Sequence, residues 1–346
     1  MDQFQLRNPE PILPQEQLEK PTQLKPISRL KSLSGPGSAL YADGYRYQRS
    51  LGEGGFGEVA LFKKANRNYA IKLIDPTRMN MTSAESVKFI DKEIANTQQI
   101  LENDDRCGIY SNFVLKYSHR KAGGRVFFIS EAMDADLEKF LVTDSDSVFR
   151  RTPEYQELVL AIVCQLFYAV ECLHKIGLIH GDLKPNNILI NGHTGQIKLA
   201  DFGGSASLEP VPSHTPPEMQ TRVTSSTNIY LPPELQGQSK TSFKATTKTD
   251  IWSLGLIILF LVAKNPRIVH QNLGKLNQTQ IDQIINQEIE TREELDSELK
   301  RFYQQLLNWT LQVSSARRKS LKQIMTDPLF IDRCNLFVKS VKSLIK

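Results

Sequence analysis

The sequence predicts an α+β fold of two lobes, mainly β first and mainly α afterwards, and three observations carry that expectation. A glycine cluster separates short apolar stretches between Tyr45 and Leu73, one capped helical pattern follows it, and beyond residue 152 apolar residues recur at helical spacing almost to the C-terminus. The 346 residues suit one large domain or two smaller ones. With 40% hydrophobic and 23% charged residues, wholesale disorder and fibrous repeats are excluded. Lys+Arg 43 against Asp+Glu 38 leaves +5, too little over this length to indicate nucleic-acid binding.

Residues 1–40 carry six prolines among Gln, Lys and Ser, with few clustered apolar residues, and read as a flexible tail that cannot offset its ordering entropy. Its basic residues Lys25, Arg29 and Lys31 leave a docking role open. From Tyr45 to Leu73 three strands with hairpin connections are expected. Thr82-Ser83-Ala84-Glu85 is a capping-box pattern that opens a helix over about 84–102, with Val87, Ile90, Ile94, Thr97 and Leu101 at helical spacing. Two more strands fit 114–119 and 125–131, and residues 131–137 form the natural boundary between lobes.

Thr152 as N-cap and Pro153 at the first helical position start a long helix that runs to Gly177. Further helices are expected over 248–263, 278–313, 319–326 and 334–345, the last a C-terminal extension over 333–346. The charged stretch 288–301 reads as a solvated helix face, with a docking role left open. The apolar run 251–263 is too short to cross roughly 30 Å of hydrocarbon and is broken by Ser253 and Gly255, so it reads as a core helix. The N-terminus has no apolar stretch behind a basic start, so a cytoplasmic location is expected, with the nucleus also open. Cys107, Cys164, Cys172 and Cys334 lack metal-ligand spacing and are expected to be reduced, mostly buried thiols.

Three groups of residues carry chemistry. Leu51-Gly52-Glu53-Gly54-Gly55-Phe56-Gly57-Glu58-Val59 places a G-x-G-x-x-G cluster between two strands, where bare backbone N–H groups can approach phosphate oxygens. Alone it is equally compatible with a plain glycine-rich hairpin. The dinucleotide-binding form is disfavoured because a strand follows, and a P-loop lacks its Gly-Lys-Ser/Thr ending. Lys72, in an apolar strand, needs an anionic partner, and Glu93 in the capped helix is the best candidate. Finally, His180-Gly181-Asp182-Leu183-Lys184-Pro185-Asn186-Asn187 is followed by Asp201-Phe202-Gly203 across an expected hairpin turning at 191–195. That hairpin would return Asp201 beside Asp182 and Asn187, the oxygen donors and carboxylate that magnesium-dependent phosphoryl transfer requires.

With Leu231-Pro232-Pro233-Glu234 and Asp250-Ile251-Trp252-Ser253-Leu254-Gly255 added, six motifs stand in one order over residues 45–332, and in them the chain resembles the eukaryotic-type protein kinases. The resemblance implies a bilobal kinase-like fold, with an N-lobe over 45–131 and a C-lobe over 137–332, and it implies ATP and Mg²⁺ as cofactors. It assigns Gly52, Gly54 and Gly57 to cover the phosphates, with Leu51 in the same loop, and Lys72 to meet the α/β-phosphates while paired with Glu93. Val59, Ala70 and Leu189 would sandwich the adenine, Glu131 and Met133 would supply hinge backbone contacts, and Asp136 would meet the ribose. Asp182 is implied as catalytic base, Lys184 as the ligand of the transferring phosphate, and Asn187 with Asp201 as metal ligands.

Lys184 in this loop and Thr227 before Tyr230 resemble the serine/threonine class, implying protein substrates with Ser or Thr acceptors. Glu234 is expected to pair with buried Arg318, Asp250 to brace the catalytic loop, and Trp252 to be core. His174 and His180 read as packing residues, and Glu138, Asp144 and Asp146 hint at basic substrates. Gly181 stands where most of the family has arginine, removing the usual anchor for an activation-segment phosphate. Activity is therefore expected to survive phosphatase treatment, unless another basic residue such as Arg222 takes over. Ser130, before hinge residue Glu131, should admit bulkier ATP-competitive compounds than a larger side chain would. Two rival readings are disfavoured: a kinase-like scaffold without turnover, because Lys72, Asp182, Asn187 and Asp201 are all present, and a small-molecule phosphotransferase, which would not be expected to carry the PPE and DIWSLG elements.

Overall fold

The computed structural model describes residues 29–35, 38–54, 57–79, 82–142, 148–207, 228–236 and 245–334. They form two compact units, the first drawn from residues up to Glu102 with Leu115–Asp134 and Asn191–Thr194, the second from Asn103–Val114, Ala135–Ile190 and the chain after Gly195. The chain passes between them more than once, at Glu102/Asn103, Val114/Leu115, Asp134/Ala135, Ile190/Asn191 and Thr194/Gly195, so 103–114 groups with the second unit although it lies within the N-lobe expected over 45–131.

The first unit contains α1 (Arg29–Ser32), α2 (Ala39–Ala42), β1 (Arg46–Gly54), β2 (Gly57–Lys64), β3 (Arg67–Ile74), α3 (Ser83–Glu102), β4 (Ser118–Ala122) and β5 (Arg125–Glu131). Its five strands pair antiparallel in the order β1-β2-β3-β5-β4. The expected capping box is formed: Thr82 N donates to Glu85 Oε2 at 2.9 Å, and Glu85 N donates to Thr82 Oγ1 at 3.3 Å. Ile90 and Ile94 of α3 pack on Ile74, Val126 and Phe128 of one sheet face, each fully buried side chain contributing about 1.5–3 kcal/mol. The strand expected over 114–119 begins later, at Ser118. Gly108–Phe113 is a 3₁₀ helix, and Val114, itself part of the second unit, bridges Leu199 of that unit instead of joining the five-stranded sheet.

The flexible tail expected over 1–40 is corrected for its described part. Leu30 and Leu40 are 0% and 1% exposed and pack with Tyr45, Phe62, Ile71 and Phe127 on the sheet face opposite α3. Their isolated positions among polar residues hid a docking that only the partner surface reveals. Residues 1–28 lie outside the described residues.

The second unit contains α4 (Asp104–Cys107), β6 (Ala135–Asp136), α5 (Leu137–Val142), α6 (Pro153–Lys175), β7 (Leu178–Ile179), β8 (Ile188–Ile190), β9 (Ile197–Leu199), β10 (Ala206–Ser207), α7 (Thr247–Val262), α8 (Gln278–Glu290), α9 (Ser297–Thr310) and α10 (Leu321–Met325). Thr152 caps α6 by accepting from Tyr155 N, with Pro153 at its start as expected. By length and composition α6 could cross a bilayer, but 72% of its apolar window is packed inside the fold. The 251–263 run forms the buried α7, with Trp252 fully covered.

Three expectations fail here. The single helix over 278–313 is two helices, interrupted between Glu290 and Ser297. The interruption turns Arg292 inward to 3% exposure, where it donates to the carbonyls of Val262 and Ala263 at 2.8 and 3.2 Å. The stretch 288–301 is thus not a continuous solvated face, because free carbonyls beyond the end of α7 need a donor. Likewise the four cysteines are not thiols: Cys107 pairs with Cys172 and Cys164 with Cys334. Cys164 and Cys172 do lie buried on α6, but partners 170 and 65 residues away are set by packing, not by local spacing. The second bridge fastens a helical run over 328–334 to α6, and residues 335–346, most of the expected C-terminal extension, lie outside the described residues.

Candidate active site

In the first unit the glycine cluster forms the β1–β2 hairpin, closed by the pair Gly54 and Gly57, with a register irregularity between Ser50 and Gly52. Leu51 and Gly52 lie in β1; Gly55 and Phe56 lie outside the described residues. Gly57 is required by contact: a Cβ there would stand 1.7 Å from the Leu73 carbonyl oxygen. Val59 is paired with Lys72 across β2 and β3, and Ala70 with Ser130 across β3 and β5. The strand period therefore aims Val59, Ala70 and Lys72 alternately toward the same side as Ser130.

The expected ion pair is present: Lys72 Nζ lies 2.9 Å from Glu93 Oε1, with Glu93 3% exposed on α3. Next to it on the helix, burial pushes the Lys92 ammonium down to about 8. Ser130 is buried, and its hydroxyl donates to the Glu131 carbonyl at 3.1 Å. Glu131 ends β5 and Met133 follows it, with Asp134 Oδ2 accepting from Gly192 N at 2.8 Å.

The second unit brings the catalytic-loop residues together. Lys184 Nζ donates to Asp182 Oδ2 at 2.8 Å, and Asn187 Nδ2 donates to the Asp182 carbonyl at 2.8 Å and to Oδ2 at 3.3 Å. The expected hairpin pairs Ile188 with Leu199 and Ile190 with Ile197, and turns where Asn191 Oδ1 accepts from the amides of His193 and Thr194. Ala200 N donates to the Asn187 carbonyl at 2.9 Å, which brings Asp201 beside Asn187. Asp201 sits at φ 66°, a left-handed conformation rare for a residue with a side chain and of a kind that gathers at functional sites. Leu189 faces Asp136 across β8 and β6, while the Asp136 carboxylate caps α5 by accepting from Lys139 N and pairing with its ammonium, both at 2.8 Å.

Beneath this loop, buried Asp250 accepts from His180 N and Gly181 N, each at 2.9 Å, and meets His174 Nε2 at 2.8 Å. The strut role is as expected, and Gly181 fits it at φ 73°, where a side chain would be strained. The buried Arg318 guanidinium contacts both Glu234 oxygens at 2.7 and 2.6 Å and lies over the Trp252 ring. Thr227, Arg222, Asp144 and Asp146 lie outside the described residues.

His180 does more than pack, and its motif position was the only signal of it. Its Nδ1 accepts from Asp182 N at 3.3 Å, so Nε2 carries the proton it donates to the Ala200 carbonyl at 3.1 Å. One neutral imidazole thus ties the Asp182 backbone to the residue before Asp201. Ser205, fully buried, adds a hydrogen bond to the His180 carbonyl at 3.3 Å and had no sequence signal.

Among the described residues no group of three or more His, Cys, Asp or Glu could hold a metal. Mg²⁺ asks for less: one or two protein oxygens, with phosphate and water completing six. With the Asn187 amide nitrogen engaged at Asp182, its Oδ1 and the Asp201 carboxylate are the donors that fit.

A family model described as "Protein kinase domain" matches residues 45–330. The chain is 30% identical over 247 residues to an Aurora kinase of Schizosaccharomyces pombe, covering 70% of this chain and 61% of that protein. It is 29% identical over 259 residues to 3-phosphoinositide-dependent protein kinase 1 of Rattus norvegicus, covering 72% of this chain and 39% of the relative. Over 212 residues it is 29% identical to the dual specificity mitogen-activated protein kinase kinase sek-1 of Caenorhabditis elegans, 60% of this chain and 56% of that protein. The chain thus spans less than two thirds of each of these curated relatives.

Proposed function

Because this chain belongs to the protein kinase family across residues 45–330, we propose that it transfers the γ-phosphoryl group of ATP to serine or threonine hydroxyls of proteins. The observation that carries the reading is the Asp182 carboxylate, held by Lys184 at 2.8 Å and Asn187 at 3.3 Å in a loop braced by Asp250. Asp182 accepts the proton of the attacking hydroxyl and orients its oxygen toward the γ-phosphorus. The Lys184 ammonium offsets charge on the transferring phosphoryl oxygens, and Lys72, steered by Glu93, does the same at the α- and β-phosphates.

Asn187 and Asp201 would hold Mg²⁺, which when bound neutralises the phosphate oxygens. Adenine would lie against Val59, Ala70 and Leu189, with backbone groups of Glu131 and Met133 at its edge and Asp136 near the ribose. A cytoplasmic location stands against the two disulfides, which persist in oxidising surroundings; alkylation of the chain in intact cells before lysis decides between them.

Incorporation of radioactive phosphate into generic protein substrates tests the activity. Asp182→Asn is expected to lower kcat by about 10²–10⁴-fold, the usual worth of a positioned base, with ATP affinity retained. Equal labelling by wild type and variant would overturn the assignment, and labelling by neither would favour a scaffold.

A further inference from the structure

The burial of β2 is the reverse of what a nucleotide-covering strand suggests. Its covered residues are Glu58, Ala60 and Phe62, at 6%, 0% and 0% exposure, while Val59 and Leu61 on the other face are only partly buried. By register the buried set continues through Leu73 and Ile71 of β3 to Phe127 and Ile129 of β5. This apolar face is covered by the chain before β1: Leu30, Leu40 and Tyr45, with Leu33 partly buried beside them.

Polar contacts hold that covering segment in one place. Asp43 pairs with Arg120 of β4 at 2.7 Å, and the Arg46 guanidinium lies 3.7 Å over the Tyr41 ring. The Leu30 N–H donates to Glu58 Oε2 at 3.1 Å in a buried setting. This N–H belongs to the first turn of α1, where no intrahelical acceptor exists, and a buried carboxylate is costly without donors, so each group satisfies the other's need.

Glu58 directly follows Gly57, the glycine locked against the Leu73 carbonyl, and it pairs across the hairpin with Glu53 between Gly52 and Gly54. We propose that the described residues 29–35 and 38–45 are a strap that sets the glycine-rich hairpin, and that Glu58, which accepts from the Leu30 N–H, is a positioning residue for nucleotide binding that never touches the nucleotide. The strap grips one strand of the hairpin from the face opposite Val59. When it loosens, the hairpin amides lose their preset geometry and ATP binds more weakly, while the catalytic loop in the second unit is unaffected. The nucleotide arm of this proposal rests on the kinase reading above; the hairpin arm does not.

The experiment uses the full chain and four variants: Glu58→Ala, Glu58→Gln, Leu30→Pro and the double Glu58→Ala/Leu30→Pro. Proline is tolerated in the first turn of a helix and removes the N–H, but it also replaces the buried Leu30 side chain, so Leu30→Ala, which keeps the N–H, is measured beside it as a reference, and thermal melts confirm that each variant is folded. Titration with a fluorescent ATP analogue is expected to show roughly tenfold weaker binding for Glu58→Ala and Leu30→Pro, the worth of one hydrogen bond to a charged group. The double variant should be no worse than either single, Glu58→Gln should stay within about threefold, and kcat should hold within about threefold throughout.

Without nucleotide, amide exchange should quicken over 50–58 and stay unchanged over α3. Unchanged affinity and exchange in folded Leu30→Pro, additive losses in the double variant, or faster exchange spread evenly through the sheet would each overturn the proposal. If wild type binds no analogue, the kinase reading falls, and the exchange comparison still decides whether the strap sets the hairpin.

Discussion

In the second unit the polar site groups stand on a buried network, whereas in the first unit they stand on an apolar sandwich. Asp250 alone fixes two backbone amides and a histidine under Asp182, His180 links that loop to Ala200, and two disulfides close the scaffold around α6. The glycine-rich hairpin is held differently: Glu58 of β2 accepts from the Leu30 N–H of the segment packed behind it, and Lys72 of the neighbouring strand pairs with Glu93. The difference follows the chemistry expected of each part. A base must stay within tenths of an ångström of its proton, which directional hydrogen bonds ensure. A phosphate cover needs backbone that can approach and withdraw, which non-directional apolar contacts permit.

Three measurements would break or sharpen this contrast, and the largest effect belongs to the network. Asp250→Ala leaves the amides of His180 and Gly181 buried without their acceptor, at about 1–3 kcal/mol each. Urea unfolding should show a loss of about 3–5 kcal/mol, with amide exchange rising around 180–187 and not in the five-stranded sheet; a loss under about 1 kcal/mol would mean the network is dispensable.

Reducing the two disulfides should remove about 2–5 kcal/mol from the second unit and leave exchange in β2 and β3 as before. Mass spectrometry after alkylation without reductant checks the premise, since four labelled thiols would remove the covalent half of the comparison.

The smallest effect lies in the first unit. Burial holds the Lys92 ammonium down to about 8 from an ordinary 10.5, so the native state resists its charge. Between these values the unfolded chain binds more protons than the folded one, and stability therefore rises as pH climbs from about 8 to 10.5. Lys92→Met should stabilise the protein at pH 7 by up to about 3 kcal/mol and flatten that rise. Identical pH profiles for variant and wild type would show that Lys92 is solvated.

What could be read in advance divides along the same line as the contacts. Lys72 with Glu93, Asp182 near Asn187, Glu234 with Arg318, and the Thr82 capping box were all legible, as was the succession of a β-rich part and a helix-rich part. They are encoded in motifs whose order is distinctive or in caps whose partners lie three residues apart. The β8–β9 hairpin was legible too, because a short strand, a turn and a second short strand leave Asp201 one place to go.

Four features were decided only by the tertiary structure. Leu30 and Leu40 look like stray apolar residues until the outer sheet face supplies what they bury against. Arg292 looks like a surface charge until the carbonyls of Val262 and Ala263 require a donor. Val114 leaves its expected strand for a bridge to Leu199, and the cysteine pairings join positions 65 and 170 residues apart. In each case the deciding energy comes from burying a group against a partner distant in sequence. Residue order fixes spacing and local dihedral preference, and so determines the chemistry of the site. Which surfaces meet depends on the whole chain collapsing at once, and so only the folded molecule determines what holds that chemistry in place.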